Sequence, residues 1–221
     1  MRTALVETLL SFLLLGAALF GGAGRFDWPM AWLYLAANLA FAALGFLVLD
    51  PELIRERALP GGATRRWDRW LASSGYLCLS PLALLVAGLD AGRFGWSPPL
   101  PRALELGALG VFALGNAFAL WAARTNRFFS SFVRIQTERG HRVVTDGPYA
   151  FMRHPGYAGG LLALWVAPLA LGSLWGLLPA SVGIGFFVAR TAREDRVLHE
   201  ELAGYREYAA RVRWRLIPGV W

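Results

Sequence analysis

The sequence predicts an all-α integral membrane protein with about five to six transmembrane helices, including a short C-terminal helical hairpin. Three observations support this fold class. Of the 221 residues, 56% are hydrophobic, and the mean hydropathy of +0.44 exceeds that of ordinary soluble domains. Apolar stretches of nearly the ~20 residues that cross a bilayer core recur along the chain. The charged residues lie mainly between these stretches, where the membrane surface would be.

Four candidate spans make up an N-terminal region, residues 1–123. They cover residues 4–20, 28–49, 71–89 and 103–123. Pro29 suits the first turn of the second span, because its missing N–H has no partner there, whereas Pro81 predicts a kink in the third. The first span lacks a convincing cleavage site, so we expect it to be retained. A charged loop at residues 50–70, divided by a Pro-Gly-Gly break at 60–62, and a proline-rich loop at 90–102 connect these spans.

The C-terminal region, residues 124–221, alternates polar and apolar segments. Residues 124–140 alternate arginines with aromatic and aliphatic residues, which predicts an amphipathic helix in the headgroup region. Two apolar runs at 157–171 and 174–189 predict the hairpin, joined at Gly172-Ser173. Each helix would be about 24 Å long at 1.5 Å per residue, which is short for a span. Residues 190–211 predict a charged amphipathic helix.

The charge distribution predicts how the chain is oriented. The net charge is +7, and every cationic side chain apart from histidine is arginine. Arginines concentrate in residues 50–70, in 124–155 and near the C-terminus, and this predicts that these parts face the cytoplasm. Retention at a membrane surface explains the basic character better than a nucleic-acid partner does. Cys78 is the only cysteine, so one chain can form neither a disulfide nor a cysteine-based metal site, and we predict no metal.

Two polar blocks carry the residues that could perform chemistry. In residues 141–160, Arg153 and His154 precede Pro155, which predicts a helix N-terminus suited to a carboxylate or phosphate. The second block, in residues 190–211, supplies Glu194 and Asp195, which could accept ribose hydroxyls or an amine. Helical spacing places Glu194, Leu198, Glu201, Tyr205 and Tyr208 on one face. Arginines together with carboxylates suit a zwitterionic cofactor and an acidic substrate.

These blocks also carry a resemblance to a known family. The run H-x-V-V-T-D-G-P-Y-A-x-x-R-H-P-x-Y-x-G at 141–159 resembles the signature of the isoprenylcysteine carboxyl methyltransferase family and its bacterial relatives. R-x-x-x-E-D at 190–195 is similar to that family's R-x-x-x-E-E, with Asp195 as a departure that shortens the reach. The tyrosines and arginine at 205–218 resemble its final segment. The resemblance covers residues 136–218; residues 1–123 match only as membrane spans.

The resemblance implies an S-adenosylmethionine-dependent methyltransferase whose C-terminal region binds the cofactor and catalyses. It implies carboxyl O-methylation of an isoprenylcysteine-like, lipidated or other lipophilic acceptor. The alanine-, leucine- and arginine-rich composition is typical of a bacterium with GC-rich DNA, so we expect an inner-membrane enzyme whose site faces the cytoplasm. Arg153 and Arg211 would orient the acceptor. The implied cofactor-binding residues are Gln136, His141, Val143, Val144, Gly147, Tyr149, His154, Tyr157, Glu194 and Asp195.

Other functions stay open at this point. Phospholipid N-methyltransferases look similar in the R-H-P-x-Y-x-G region, and NADPH-dependent sterol-type reductases share the plan of the C-terminal half. A non-enzymatic membrane scaffold would need its arginines only for anionic lipid. Each motif residue also has a simpler interpretation: a solvated face for Glu194 and Asp195, lipid anchors for Arg153 and Arg211. His199, outside the motifs, is expected to be solvated.

Overall fold

A computed structural model describes residues 2–58 and 64–221, which form helices joined by turns and irregular segments, with no β-strand among them. The Pro-Gly-Gly break predicted at 60–62 lies outside them. Short 3-10 turns occur at Thr137–Arg139 and Gly147–Ala150. The helices are α1 (Arg2–Ala23), α2 (Pro29–Val48), α3 (Pro51–Ala58), α4 (Arg66–Phe94), α5 (Arg102–Thr125), α6 (Pro155–Ala170), α7 (Leu177–Glu201) and α8 (Tyr205–Arg211).

The predicted fold class is confirmed. Helices α1, α2, α4 and α5 are each long and apolar enough to cross a membrane, and α6 is a shorter apolar helix. Their outer surfaces expose large apolar side chains, as lipid-facing surfaces do. On α1 alone these are Leu5, Val6, Leu9, Leu10, Leu13 and Leu14.

Helix α4 extends beyond the predicted span at both ends, and two π-helical segments interrupt it. The first, Cys78–Leu82, contains Pro81, so the predicted irregularity is a π-helical turn that accommodates the missing N–H. The second, Gly88–Phe94, carries the fully buried Asp90 into the predicted loop. The Asp90 carboxylate accepts 2.6 Å hydrogen bonds from the hydroxyls of Ser97 and Ser173. It thereby joins α4 to the connection between α6 and α7.

Glycines let α5 and α6 pack closely. A Cβ atom on Gly159 would lie 2.5 Å from the carbonyl oxygen of Gly115, and one on Gly115 would lie 2.7 Å from the carbonyl oxygen of Gly159. Small residues at such crossings allow helix backbones to approach each other in membranes. Gly156 instead faces the ring of Phe129, whereas Gly160 faces open space. Only part of the glycine pattern at 156–160 therefore serves helix packing.

The amphipathic helix predicted over 124–140 is wrong. Helix α5 ends at Thr125, and the chain continues as an irregular segment with one 3-10 turn at Thr137–Arg139. The Asn126 side chain accepts the Phe128 N–H at 2.9 Å, and this turn prevents the helix from continuing. Backbone groups of this segment bond to buried side chains in place of helical partners; for example, the Val133 N–H donates to the Asp68 carboxylate at 2.7 Å. Aromatic and basic residues alternate because they face a polar interior and other helices, not a flat membrane surface.

The C-terminal hairpin is present, but its second helix is longer than predicted. Helix α7 runs without interruption from Leu177 to Glu201, so the predicted boundary at 189–190 does not exist. The predicted charged helix instead breaks at Gly204, whose φ of +80° favours glycine. Consequently Glu194 and Tyr205 lie on different helices, and the single helical face predicted to hold both is wrong.

A buried ion pair connects the membrane helices to the irregular segment. Asp68 of α4 is fully buried, and the Arg190 guanidinium of α7 donates to its carboxylate at 2.7 Å and 3.4 Å. Arg190 also donates to the Ser131 carbonyl at 2.8 Å, and Asp68 accepts the Val133 N–H. One pair therefore fixes the separation of two helices and the path of residues 131–133.

We expect Asp68→Ala to destabilise the protein by about 3–5 kcal/mol, because the Arg190 charge would remain buried without its partner. The control is Glu201→Ala, which removes an ion pair with Arg65 whose side chains are both more than a third exposed. That variant should lose no more than about 1 kcal/mol. Thermal unfolding in detergent measures both. Equal losses of stability in the two variants would show that the buried pair contributes no more than the exposed one.

Candidate functional site

A narrow polar cavity lies between the irregular segment after α5, the N-terminus of α6 and the polar ends of α7 and α8. Its volume is about 90 Å³. Eight of the twelve predicted site residues line it: His141, Val143, Val144, Tyr149, Arg153, His154, Tyr157 and Glu194. All its lining residues fall between positions 126 and 208, so the cavity is built by the C-terminal part of the chain.

Four predicted site residues do not line the cavity. Gln136 is fully buried and supports it from behind, and Gly147 forms a turn with φ of +56°. Asp195 lies beneath the cavity and is 1% exposed. Arg211 is exposed at the end of α8, beside a separate surface depression. The structure therefore does not bring Arg211 to the cavity that holds Arg153.

Asp195 is the centre of a buried polar cluster. Its Oδ1 atom accepts from the Tyr205 hydroxyl at 2.9 Å and lies 3.2 Å from Arg153 Nη1 and 3.4 Å from His154 Nε2. Its Oδ2 atom accepts from Arg215 Nε at 2.9 Å. Burial raises the pKa of Asp195, but hydrogen bonds from His154 and Arg215 outweigh it, so the pKa lies well below its ordinary value. This permanent charge orients the side chains above it.

His199 joins the same cluster, so the expectation that it is simply solvated is wrong. Its Nε2 atom lies 3.2 Å from Arg153 Nη1 and 3.9 Å from Asp195, and its ring meets Tyr205 edge-on. Within the described part of the chain, Arg153 Nε is buried and has no hydrogen-bond partner. Asp195 and His199 hold the Nη1 atom of Arg153, and the Arg213 carbonyl accepts from its Nη2 atom at 3.3 Å.

Glu194 presents a carboxylate to the cavity. Its Oε2 atom accepts from the Tyr157 hydroxyl at 2.7 Å, and the described residues provide no ion-pair partner for it. The Tyr157 ring is itself fixed from the other side by the Arg190 guanidinium, 5.3 Å from the ring centroid. The buried pair between Asp68 and Arg190 thus reaches the cavity through Tyr157.

His141 is positioned as a neutral hydrogen-bond donor. Its Nδ1 atom accepts the Gln136 N–H at 3.2 Å, and its ring stacks on Phe128 with centroids 4.6 Å apart. Burial, together with the charges of Arg134 and Arg139, lowers the pKa of His141 to about 4. The neutral ring with Nδ1 as acceptor carries its proton on Nε2.

Sequence reasoning missed several residues of the site. Phe128 and Phe132 line the cavity, although the amphipathic pattern had placed them on a membrane surface. Tyr205 and Tyr208 also line it, and the Tyr208 hydroxyl donates to the Tyr149 carbonyl at 2.8 Å. The Y-x-x-Y spacing at 205–208 was the signal that could have identified both tyrosines. Nothing in the sequence singled out Arg215, whose role depends on the fold of the C-terminal tail.

A second, larger and mostly apolar groove of about 1150 Å³ lies between α5, α6, α7 and the C-terminal tail. It contains no charged residue and shares no lining residue with the polar cavity. The groove is lined by Leu114, Gly115, Phe118, Met152, Ala158, Gly159, Leu161, Leu162, Trp165, Ser181, Ile184, Val188, Leu216, Ile217, Pro218 and Trp221.

Comparison with known proteins identifies similar sequences. A sequence profile described as Phospholipid methyltransferase matches residues 104–203. The chain is 28% identical over 187 residues to a probable protein-S-isoprenylcysteine O-methyltransferase of Oryza sativa subsp. indica, covering 82% of this chain and 93% of that protein. It is 33% identical over 88 residues to protein-S-isoprenylcysteine O-methyltransferase B of Arabidopsis thaliana, covering 39% of this chain and 45% of that protein.

The chain is also similar to a Delta(14)-sterol reductase of Gibberella zeae, at 26% identity over 170 residues, covering 53% of this chain and 35% of that protein. It therefore spans less than half the length of the Arabidopsis and Gibberella proteins. The resemblance to isoprenylcysteine methyltransferases noted from the motifs is confirmed, at modest identity. The profile match begins within α5 and ends just after α7, and so contains most of the polar cavity.

The depressed pKa of His141 predicts a loss of stability in acid. As the pH falls below 6.5, the unfolded chain takes up a proton that the folded protein takes up only near pH 4, so the free energy of unfolding decreases over this window. His141→Gln should remove this part of the decrease. The thermal midpoints of both proteins, measured from neutral pH down to about pH 4, show how much of the decrease depends on His141. Parallel curves would contradict a neutral, buried His141.

Proposed function

We propose that the protein is an S-adenosylmethionine-dependent methyltransferase of a bacterial inner membrane, acting on a lipophilic acceptor at its cytoplasmic face. The observation that carries this proposal is the polar cavity, which brings a carboxylate, arginines and aromatic rings together at the end of an apolar helix bundle. We further propose that residues 1–123 serve as membrane helices and residues 124–221 as the cofactor-binding catalytic region. The similarity to isoprenylcysteine methyltransferases supports both statements.

The residues of the cavity fit a zwitterionic cofactor. Glu194 offers a carboxylate for an ammonium group or ribose hydroxyls, and Arg142 offers positive charge for a carboxylate. Phe128 and Phe132 provide apolar faces for a planar base. Arg153 adds a guanidinium to the cavity wall, and Asp195 holds its Nη1 atom at 3.2 Å. Gln136 and Asp195 act from behind, by fixing His141 and His154.

S-adenosylmethionine, when bound, supplies an activated methyl group, and an ionised carboxylate acceptor is already a nucleophile. The chain therefore needs no general base for O-methylation; it needs to align the reactants and exclude water, and alignment contributes about 7–11 kcal/mol to lowering such barriers. Arg153 is suited to orient the acceptor, because Asp195 and His199 hold its guanidinium in place. The exposed position of Arg211 favours Arg153 over Arg211 for this role.

Phospholipid N-methylation is the second candidate, favoured by the profile match and by Glu194. An amine acceptor must lose a proton, and the Glu194 carboxylate lies in the cavity, hydrogen-bonded to the Tyr157 hydroxyl. An amine-bearing lipid would then use Glu194 where an acidic acceptor uses only arginine. Comparing methyl transfer to phosphatidylethanolamine with transfer to S-farnesylcysteine separates the two candidates.

Ligand binding tests the cofactor directly. Detergent-purified protein is heated with S-adenosylmethionine, S-adenosylhomocysteine, NADPH or no ligand. A ligand at 100 times its dissociation constant should stabilise the folded state by about 2.7 kcal/mol. Stabilisation by the two S-adenosyl compounds alone is the expected result. Stabilisation by NADPH alone would replace the proposal with a sterol-type reductase, and stabilisation by none would favour a membrane scaffold.

Glu194→Gln should weaken S-adenosylmethionine binding by roughly tenfold to a hundredfold, because a hydrogen bond to a charged group contributes about 1.5–3 kcal/mol. The matched control is Glu200→Gln, an exposed carboxylate on the same helix that lines no described cavity. Isothermal titration of both variants measures the change. If Glu194→Gln binds the cofactor as tightly as Glu200→Gln does, Glu194 belongs to a solvated face.

A further inference from the structure

We infer that Arg57 binds the acidic head of the acceptor, which reaches it along a cleft between α2 and α5. This inference rests on the proposed function and adds a residue from the N-terminal region, outside the residues that the methyltransferase profile matches. Three observations carry it: the charge of Arg57, the shape of the cleft, and the wall that the cleft shares with the polar cavity.

Arg57 lies at the end of α3 with its charge unbalanced. The two carboxylates of the same helix are already used, since Glu56 pairs with Arg134 at 2.9 Å and Glu52 with Arg139 at 3.1 Å. In the part of the chain that the structure describes, Arg57 forms no ion pair, and its guanidinium lies over the Phe129 ring at 4.9 Å. Burial lowers the pKa of Arg57, which is the mark of a cation with little compensation. An anion placed beside it would supply that compensation.

The cleft that ends at Arg57 is suited to an apolar tail. It has a volume of about 290 Å³, and one side of it runs from Asn38 of α2 to Leu49 just after that helix, a distance of about 16 Å at 1.5 Å per residue. Its two amides are satisfied by their own helices, since Asn38 donates to the Tyr34 carbonyl and Asn116 to the Phe112 carbonyl, each at 2.9 Å. Arg57 is therefore the one charged residue lining this cleft among the described residues; the other lining residues are apolar, or are amides that already donate to a backbone carbonyl.

Phe129 connects the cleft to the polar cavity, because its side chain lines both. The ring lies against Gly156 at the first turn of α6, where a Cβ atom would approach it to 2.5 Å. The charge of Arg57 also acts on Tyr149 and Tyr157, two residues of the cavity wall. A head group held by Arg57 would thus stand at the rim of the cavity proposed to hold the cofactor.

The large groove between α5, α6 and α7 is the competing route, and it fits less well. It has no charged residue to hold an acidic head, and it shares no side chain with the polar cavity. Its volume exceeds that of the α2–α5 cleft, but volume alone does not bring an acceptor to the reacting atoms. Charge and continuity both favour the cleft that ends at Arg57.

The occupant is therefore an acceptor with a single carboxylate on a long apolar tail. Guanidinium and carboxylate match each other in a planar, bidentate arrangement. S-farnesylcysteine is the probe, and its carboxamide, which has the same tail without the charge, is the matched ligand. Arg57→Ala removes the proposed contact, Arg57→Lys keeps the charge without the planar fork, and Arg55→Ala is the control, an exposed arginine on the same helix.

The measurement is binding of each probe to purified protein saturated with S-adenosylhomocysteine, followed by the KM for methyl transfer. Wild type and Arg55→Ala should bind the carboxylate at least about tenfold more tightly than the carboxamide, and Arg57→Ala should lose most of this ratio, with the remainder due to Arg153. Arg57→Lys should recover part of the discrimination. Affinity for S-adenosylmethionine should stay unchanged in all variants.

Unchanged discrimination in Arg57→Ala would overturn the inference, and so would a parallel loss of cofactor affinity, which would make Arg57 a structural part of the cavity wall. Competition by phosphatidylglycerol that disappears in Arg57→Ala, with no change in probe binding, would assign the site to a membrane phosphate instead and also overturn it. Failure of the proposed function is seen separately, as an absent stabilisation of wild type by S-adenosyl compounds.

Discussion

The ion pair between Asp68 and Arg190 is the interaction on which the rest of the structure depends. It is the point where α4, α7 and residues 131–133 meet; Asp68, Arg190 and Val133 are buried there and Ser131 is partly buried. In a low-dielectric interior neither charge is tolerable alone, so the three segments can pack only in this arrangement. Arg190 also fixes the Tyr157 ring, and through Tyr157 the orientation of Glu194. The same ion pair therefore stabilises the helix bundle and sets the geometry of the cavity wall.

A second charge, Asp195, organises the floor of the cavity in a comparable way. Four side chains from three different segments converge on one carboxylate: Arg153, His154, Tyr205 and Arg215. The structure gives a physical reason for the aspartate at position 195, where the similar family has a second glutamate. The shorter side chain keeps the charge beneath the cavity, where it orients the residues above, whereas Glu194 reaches into the cavity itself.

The polar cavity and most of the apolar surface lie in different parts of the chain. The motifs at 141–159 and 190–195 build the polar cavity, and the methyltransferase profile matches this region. The N-terminal helices contribute the side that faces the bilayer and, at α3, a cation beside the shared wall at Phe129. The proposed reaction, between a water-soluble cofactor and a lipophilic acceptor, would need both surfaces, because neither ligand is soluble in the other's environment.

The sequence by itself determined the helical membrane fold, the limits of most spans, the hairpin and eight of the residues that line the cavity. The fold, the spans and the hairpin follow from apolar length and from proline and glycine positions, whereas the eight lining residues were implied by the family resemblance of the motifs. Only the tertiary structure decided that the predicted segment 124–140 is not an α-helix beyond Thr125 and that Arg211 lies away from the cavity. It also decided that Arg215 pairs with Asp195 and that Arg57 lies over the Phe129 ring. The physical reason is that these features depend on hydrogen bonds and ion pairs between residues distant in sequence, such as Asp68 with Val133, which no local pattern encodes.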